Sequence, residues 1–346
     1  FFFIQIIKNF RLKENSKKYS DISIFSYFVH FNSTTSKIFK SNLWGDLPKF
    51  LNLKKLQVNW FHFFVASNQI KNSKKANNLR NKFNLNNYEN HNFINSFLSN
   101  EDLLRSISHY FYFFIKNIFS KKISLFFFSN KISKTNFYYF LEKDLFSSYF
   151  GPTLIYNIMN IYAINRLLKE IPRQRIGIFI IENQSWEYCF IKLWKKYNHG
   201  KLFAYFNSSI RFWDLRYIKD KNEFKIQDEN PDQFLINSKI FKSEAKKNGY
   251  PSKKIKLVEA LRYNKLKPVL KIKQNKKILI IGDILFSETD KILFFLSNVK
   301  KNLKNYSFYL KPHPTMTLKS INIFKQKYSF IKIVSNNSEN FKNFEF

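Results

Sequence analysis

The hydrophobic positions between Arg175 and Arg216 follow an ordered pattern. The apolar run from Ile176 to Ile181 predicts a buried strand, because it is short, bounded by polar residues and rich in β-branched types. The next apolar residues recur at helical spacing: Trp186, Cys189, Phe190, Leu193, Trp194 and Tyr197. A second run from Leu202 to Phe206 predicts another strand, and Gly200 before it suits a helix C-cap with positive φ. The pattern therefore predicts a β-α-β unit.

Strand and helix signals alternate on both sides of this unit. Downstream, a strand, a helix and a strand are predicted at Gln233 to Asn237, Ser238 to Asn248 (ended by Gly249) and Ile255 to Val258. Upstream, the pattern predicts strands at Ile22 to His30 and Val58 to Ala66, an exposed helix or loop at Asn72 to Asn92, and helices at Leu103 to Phe119 and Thr153 to Leu168. Three βα steps in succession predict an α/β fold with a parallel sheet.

Two further features lie upstream of the central unit. The helix from Leu103 carries an apolar face made of Leu104, Ile107, Tyr110, Phe111 and Phe114. His62 lies in the aromatic cluster of the second strand, and a histidine in such a place is more often a core or edge residue than a ligand.

The alternation of strand and helix signals stops between Arg262 and Lys277, where lysines are frequent around Pro268. We interpret residues 262–277 as a linker between a first domain, 1–261, and a second, 278–346. In the second domain the pattern predicts strands at Ile278 to Ile281, Ser307 to Leu310 and Phe330 to Val334, and a helix at Ser287 to Leu303. About 70 residues remain after the linker, fewer than the ~100 of an ordinary domain. We therefore expect the second domain to be incomplete and the sequence to be a fragment.

Composition and charge narrow the functional classes. A hydrophobic content of 45% is enough for one or two domains with real cores. The formal charge of +35 would suggest nucleic acid or an anionic membrane as partner. Lysine, asparagine, isoleucine and phenylalanine are all abundant together, however, as AT-rich codon usage would produce. A nucleic-acid partner is also disfavoured because no RNP-like or helix-turn-helix pattern is present, whereas an anionic membrane surface stays open.

Several common kinds of site have no sequence signature here. Cys189 is the single cysteine, so it excludes an intrachain disulfide and a cysteine-based zinc cluster. No GxGxxG, P-loop, HExxH or Asp-x-Asp pattern occurs, so neither a cofactor nor a metal site is predicted. The apolar segments are shorter than the ~20 residues that a membrane-spanning helix needs.

Polar side chains follow the central strands, at the sheet edge where open α/β proteins bind ligands. Glu182, Asn183 and Gln184 come after the first strand. A carboxylate there can deprotonate an acceptor hydroxyl or cap the next helix, and Glu187 offers the same two alternatives. Three charged residues share the loop after the next strand with aromatic neighbours: Arg211, Asp214 and Arg216. The arginines can bind a carboxylate or phosphate, or an internal Arg-Asp pair can close the loop.

Strand ends in the second domain supply a second group of candidates. Lys311-Pro312-His313-Pro314 follows a predicted strand, and the prolines restrict the backbone on both sides of His313. Lys311 and His313 suit a phosphate ester or a leaving group that needs a proton, although a histidine here can also serve only to hold the turn. Asp283, after Gly282, is a further strand-end carboxylate that either binds substrate or caps the following helix.

Four motifs in order resemble a known family. They are ENQSWE, HGKLFAYFNSSIRFWDLRY, VEALRY and KPHP, and the upstream pieces FSYFVHF, LWGDLP, VNWFHFFV and FINSFLS look like the first half of the same family. Together they are similar to bacterial surface carbohydrate biosynthesis proteins regarded as glycosyltransferases. KPHP is also similar to a Lys-x-His-Pro pattern of several GT-B transferases, including polysialyltransferase-like and teichoic-acid polymerase-like enzymes. The chain departs from the pattern at its beginning, at its end, and at Asn207, where a histidine is expected.

The resemblance implies a GT-B arrangement of two Rossmann-like domains that face each other across a cleft, the second incomplete. It implies metal-independent transfer of a sugar from a nucleotide-activated donor to a surface polysaccharide, lipopolysaccharide or other lipid-linked acceptor. In relatives the histidine of KPHP serves the donor phosphate or leaving group, which here would be His313 with Lys311, and Glu182 is the candidate base. Such an enzyme would be cytoplasmic or peripheral on the inner membrane. A non-catalytic binding protein and an inactive fragment stay open as alternatives.

Overall fold

The computed structural model describes residues 20–29, 31, 37–66, 70–119, 138–208, 215–219, 224, 229–263, 276–313 and 316–334. Contacts between residues divide the chain into two compact units, Phe1–Lys265 and Leu266–Phe346. Each unit has its own sheet and its own hydrophobic core.

The first unit is built on seven parallel strands in the order β3-β2-β1-β4-β5-β6-β7. The strands are β1 (Ile22–Tyr27), β2 (Val58–Phe63), β3 (Glu89–Phe93), β4 (Ile176–Ile180), β5 (Lys201–Tyr205), β6 (Gln233–Ile236) and β7 (Ile255–Leu257). In β1, Ile22 pairs with Val58 on one side and with Ile176 on the other. Strands β1 and β2 are buried along nearly their whole length, and their polar residues, such as Ser23, Ser26 and Asn59, are buried with the apolar ones.

The described residues of this unit form seven α-helices. They are α1 (Leu47–Leu53), α2 (Ser73–Phe83), α3 (Asn100–Ile118), α4 (Tyr138–Tyr149), α5 (Pro152–Glu170), α6 (Ser185–Lys196) and α7 (Lys239–Lys247). Capping chemistry fixes several starts: Ser99 and Asp102 form a capping box at α3, and Pro152 occupies the first turn of α5. Alternation along β1 sends Ile24 and Phe25 to opposite faces, so the sheet divides two apolar cores.

The second unit is a smaller β-α-β-α-β arrangement with a parallel sheet in the order β10-β9-β8. Its elements are β8 (Lys277–Ile281), α8 (Phe286–Val299), β9 (Ser307–Lys311), α9 (Leu318–Lys327) and β10 (Ile331–Ile333). Its core contains Leu293, Leu310 and Phe324, all fully buried. The predicted α/β class, with parallel sheets and flanking helices, is confirmed.

One predicted helix end is wrong. Gly200 was expected to end α6 with positive φ, but the residue with positive φ there is Asn198, at 54°. Gly200 is needed for a different reason: a Cβ atom would lie 2.0 Å from the carbonyl oxygen of Arg175. Close approach of two backbones, and not helix capping, requires glycine at this position.

The interpretation of Asn72 to Asn92 as an exposed helix or loop is wrong in its last part. β3 begins at Glu89, and His91 and Asn92 are buried. The Asn84 side chain satisfies the backbone of this edge strand, because its Oδ1 accepts from the His91 N–H (2.6 Å) and its Nδ2 donates to the His91 carbonyl (3.0 Å). This side-chain pairing gives a polar sequence a place in the sheet.

The apolar face predicted for α3 contacts the core only in part, through Tyr110. Leu104 and Phe111 are more than half exposed, whereas Asp102 and Ser106 are buried. Asp102 pairs with Arg166 of α5, and Arg166 also donates to the Ser99 hydroxyl at 2.9 Å. Polar contacts therefore attach this helix to its neighbour. Across the described parts of the chain, the helices are either too short or too polar to traverse a lipid bilayer.

Candidate functional site

The strand order reverses direction between β1 and β4. From β1 the sheet continues outward to β2 and β3, and from β4 it continues the other way to β5, β6 and β7. Connections that leave two neighbouring strands in opposite directions open a crevice at their carboxyl ends, where open α/β sheets bind ligands. Tyr27 ends β1, and Glu182 follows the end of β4 by two residues. The predicted Glu182 thus lies at the reversal point of the sheet.

The Glu187 carboxylate organises the loop after β4. Its Oε1 accepts hydrogen bonds from the backbone N–H groups of Glu182 (2.8 Å) and Gln184 (3.0 Å), and its Oε2 accepts one from Asn183 (3.1 Å). Asn183 has a φ of 58°, which turns successive N–H groups toward one anion. Burial raises the pKa of Glu187 to about 7, against the lowering effect of the three backbone donors. The capping role considered for both glutamates is performed by Glu187.

The Glu182 side chain is half-buried at the crevice. Burial raises its pKa above the usual glutamate value, while Arg216 and Arg262 act in the opposite direction. A carboxylate with a raised pKa accepts a proton more readily, as a general base must. Burial also raises the pKa of the nearby Tyr27 phenol, and Glu182 adds to that rise. The phenol is therefore neutral beside the carboxylate.

Two one-turn 3-10 helices of the same sequence supply the arginines. Leu215–Tyr217 follows β5 along the chain, and Leu261–Tyr263 follows β7. Both guanidinium groups lie within electrostatic reach of Glu182, and the side chains of both arginines are exposed. Arg262 was not among the predicted site residues. The repeated tripeptide Leu-Arg-Tyr was the signal that could have found it.

Asn183 holds a lysine beside the loop. Its Oδ1 accepts from the Tyr188 hydroxyl (3.0 Å) and from Lys219 Nζ (2.9 Å), and this Nζ also lies 4.7 Å from the centroid of the Tyr188 ring. The three side chains line a cavity of about 80 Å³. Gln184, predicted with Asn183 to bind substrate, is exposed at the start of α6.

Two buried asparagines follow the next strands. Asn207 comes after β5 and Asn237 after β6, and the Asn237 Nδ2 donates to the Phe206 carbonyl at 3.2 Å. Within the described part of the chain, neither amide oxygen has a hydrogen-bond partner. A buried acceptor without a donor costs free energy, so these oxygens are suited to a hydroxyl or N–H group from outside the chain.

The second unit brings Asp283, Lys311 and His313 to one edge of its sheet. Lys311 ends β9, and its carbonyl accepts from the N–H of Gly282 after β8 at 2.8 Å. A Cβ atom on Gly282 would lie 3.2 Å from that carbonyl oxygen and 3.4 Å from the His313 nitrogen, so the two strand ends are in close backbone contact. The Asp283 Oδ1 accepts from the Leu285 N–H at 2.8 Å, which closes the turn before α8. This aspartate holds the turn, but it does not cap α8, whose N-cap residue is Leu285.

Some of the predicted residues lie outside the part of the chain that the structure describes. Arg211 and Asp214 lie outside the described residues, as does Pro314. In the described ranges, histidine, cysteine, aspartate and glutamate side chains form no group of three or more that could hold a metal ion.

Comparison with known proteins gives distant likenesses of structure only. No protein-family model and no curated protein matches the sequence. Among solved structures, the chain is similar to TarM (TM-score 0.44, 10% identity, 96% of this chain and 80% of that one). It is also similar to UDP-N-acetylglucosamine 2-epimerase from Rickettsia bellii (0.46, 11%, 93% and 70%) and to α,α-trehalose 6-phosphate synthase from Burkholderia multivorans (0.45, 10%, 93% and 73%). Likenesses this distant leave function to be argued from the residues of this chain.

Proposed function

We propose that this chain is a glycosyltransferase that moves a sugar from a nucleotide-activated donor to a surface polysaccharide or lipid-linked glycan. The observation that carries the proposal is the position of Glu182 at the reversal point of the larger sheet, within electrostatic reach of a neutral phenol and two arginines. The motif resemblance agrees with it. We place the reaction on the cytoplasmic side, at the inner membrane surface where lipid-linked acceptors are found.

In the proposed reaction Glu182 takes the proton of an acceptor hydroxyl. The hydroxyl oxygen forms a bond to the anomeric carbon of the sugar, and the bond from that carbon to the donor phosphate oxygen breaks. The electron pair leaves with the nucleotide, whose phosphate Lys311 and His313 neutralise without a metal ion. Asp283 and Gln184 contribute polar contacts to the substrates.

Arg216 and Arg262 have a separate role in the proposal. Each guanidinium can form two parallel hydrogen bonds to a carboxylate or phosphate, so the pair binds an anionic group of the acceptor beside Glu182. We extend this role to Arg211 and Asp214, which the sequence places in the same loop as Arg216. The amide oxygens of Asn207 and Asn237 accept hydrogen bonds from acceptor hydroxyls.

The test is binding and turnover measured on one preparation. Isothermal titration with UDP-, CMP- and GDP-sugars identifies the donor, and product formation is then followed with that donor and candidate acceptor glycans. Transfer by the wild type, lost in His313→Ala with an unchanged circular dichroism spectrum, supports the proposal. Full turnover by His313→Ala removes this histidine from the mechanism.

The second candidate is a protein that binds nucleotide sugars or glycans without catalysis. The same arginine pair favours this alternative, because two guanidinium groups can bind an anion in a protein that catalyses no reaction. Saturable binding of a nucleotide sugar without product, with every acceptor tried, is the result that this alternative predicts.

A further inference from the structure

Helix α3 presents an apolar stripe to solvent. Its residues are Leu104, Phe111, Ile115 and Ile118, whose spacings of seven, four and three place them on one side of the helix. Each is more than half exposed, with values of 69%, 56%, 54% and 56%. Scattered exposed apolar residues are ordinary, but four in line on one helix form a continuous surface.

The opposite side of α3 is the one that binds the rest of the unit. It carries the buried Asp102 and Ser106, and further along Tyr110 donates from its hydroxyl to the Phe150 carbonyl at 2.6 Å. Asn117 Nδ2 likewise donates to the Tyr149 carbonyl at 2.9 Å. Hydrogen bonds fix the inward side of α3 against the rest of the unit. They therefore also fix the orientation of the helix about its axis, with the stripe facing solvent.

Aromatic and cationic side chains are exposed on the same helix and on the helix that it contacts. Phe119 at the end of α3 is 78% exposed, and Phe146 of the contacting helix α4 is 65% exposed. Lys116 lies beside the stripe with its Nζ 5.6 Å from the centroid of the Tyr112 ring. Tyrosine and lysine have apolar stems and polar tips, which suits them to the boundary between lipid tails and headgroups.

The net charge of the chain favours some partners of such a surface over others. The chain carries a formal charge of +35, which attracts an anionic bilayer at long range. The same charge on a second copy of this chain would oppose self-association through this surface. Helix α3 itself carries two acidic residues, Glu101 and Asp102, and two basic ones, Arg105 and Lys116, so the attraction comes from the charge of the whole chain.

We propose that α3 docks on an anionic lipid bilayer, with the α3 stripe inserted among the upper acyl chains and Lys116 at the headgroups. The inference rests on the membrane location in the proposed function, and it names the helix that makes the contact. Docking through α3 holds the enzyme at the surface that contains its lipid-linked acceptor.

The experiment is co-sedimentation of the full chain with phosphatidylcholine vesicles that contain or lack phosphatidylglycerol. The stripe variant is Phe111→Ser, Ile115→Ser and Ile118→Ser combined. The matched control replaces three apolar residues that are more exposed, at 65%, 74% and 79%, and lie elsewhere: Leu85→Ser, Ile240→Ser and Leu318→Ser. We expect the stripe variant to bind anionic vesicles about tenfold or more weakly than the wild type, and the control to bind as the wild type does.

Three results would overturn the inference. One is wild-type affinity in the stripe variant, another is equal weakening in the control, and the third is equal wild-type binding to neutral and anionic vesicles. Sedimentation velocity adds a fourth: a wild-type dimer that the stripe variant converts to monomer would assign the stripe to a second copy. If serine unfolds α3, the same positions changed to alanine, which favours helix, give the same comparison.

Vesicle binding is independent of glycosyl transfer, because the vesicles contain neither donor nor acceptor. Glu182→Gln is therefore expected to bind vesicles as the wild type does. If transfer is absent but the stripe variant loses vesicle binding, the proposed reaction fails while the docking surface stands.

Discussion

Two clusters of ionisable side chains lie in the same seven-stranded sheet but in different surroundings. The edge cluster is Tyr27, Glu182, Arg216 and Arg262, at the carboxyl end of the strands. The core cluster is Glu89, His91 and His62, which link strands β3 and β2 in the interior. The His62 Nε2 lies 3.1 Å from the His91 Nδ1, and the His91 Nε2 lies 3.4 Å from the Glu89 Oε2.

Burial keeps the two histidines of the core cluster neutral. Both histidines are completely buried, and burial lowers the pKa of His91 to about 3 and that of His62 well below its usual value. Burial also raises the pKa of Glu89 to about 7. Phe28, Phe39 and Trp60 surround His62 as ring neighbours, so the prediction that His62 belongs to the core is confirmed.

The two clusters differ in their exposure to water and in the presence of neighbouring opposite charges. At the edge, Glu182 is half-buried and two cations oppose the effect of burial, so a charged and a protonated form are both accessible. In the core, burial disfavours the charged forms of both histidines and raises the pKa of Glu89 to about 7. Ionisable residues in proximity are therefore a weak sign of function, and a partly exposed pair of opposite charges at a strand end is a stronger one.

The largest difference is expected between Glu182→Gln and Glu89→Gln. A carboxamide cannot accept the acceptor proton, so Glu182→Gln should slow transfer by about 100-fold or more. Glu89→Gln should leave the rate near that of the wild type, since that carboxyl lies outside the site. Initial rates at saturating donor make the measurement. Similar losses in both variants would remove the functional distinction between the clusters.

At the carboxyl edge of the sheet, Glu187 is expected to stabilise the fold, whereas Glu182 is expected to take part in the reaction. Glu187→Ala leaves three backbone N–H groups without their acceptor, so it should cost about 3 kcal/mol or more of unfolding free energy. Glu182→Ala should cost less than about 1 kcal/mol, as for most partly exposed positions. Urea denaturation compares them. Equal stabilities would show that Glu187 does not organise the loop.

The core cluster predicts a pH dependence of stability. The unfolded histidines bind protons below about pH 6.5 and the folded ones do not, so their contribution is full above that pH and is lost as the pH falls. Glu89 has the opposite sign: its folded pKa of about 7 exceeds the unfolded value, so the folded state gains stability as the pH falls below 7. Glu89→Gln removes that gain and should lose about 1.5 kcal/mol more than the wild type between pH 7 and 5.5.

Thermal or urea unfolding at both pH values measures this difference, and imidazole nitrogen chemical shifts supply the control. We expect His62 and His91 to remain neutral at pH 5.5. Parallel pH dependences of the two proteins, or histidine midpoints near 6.5, would contradict neutralisation by burial.

The smallest effect is expected for Arg262→Gln. Arg262 lowers the pKa of Glu182, so its removal should raise that pKa and move the acidic limb of the kcat/KM profile to higher pH. Arg262→Lys retains the positive charge and should restore the limb. An unmoved limb in Arg262→Gln would show that this arginine does not act on the base.

Sequence periodicity predicted the strands that are apolar throughout and the helices with strong signals, such as β4 and α6. It failed for β3, whose burial depends on the side-chain hydrogen bonds of Asn84 across a turn. It also identified an apolar face on α3 but could not tell what covers that face.

Part of the site could be predicted from the positions at which the strands end. Glu182, Asn183 and Gln184 were found because strand ends mark ligand-binding edges. The division of labour between Glu182 and Glu187 was not predictable, since it depends on the left-handed backbone of Asn183. Arg262 was missed because its neighbour Arg216 is 46 positions away in the chain, and only the fold brings both to one carboxylate.

The most direct test of the edge site is amide hydrogen–deuterium exchange of the full chain, with and without the donor and acceptor that give product. Ligand binding at the reversal point predicts slower exchange in the loop after β4 and in the turns Leu215–Tyr217 and Leu261–Tyr263. Unchanged exchange in all three segments, with protection confined to β2 and β3 around the core cluster, would contradict it.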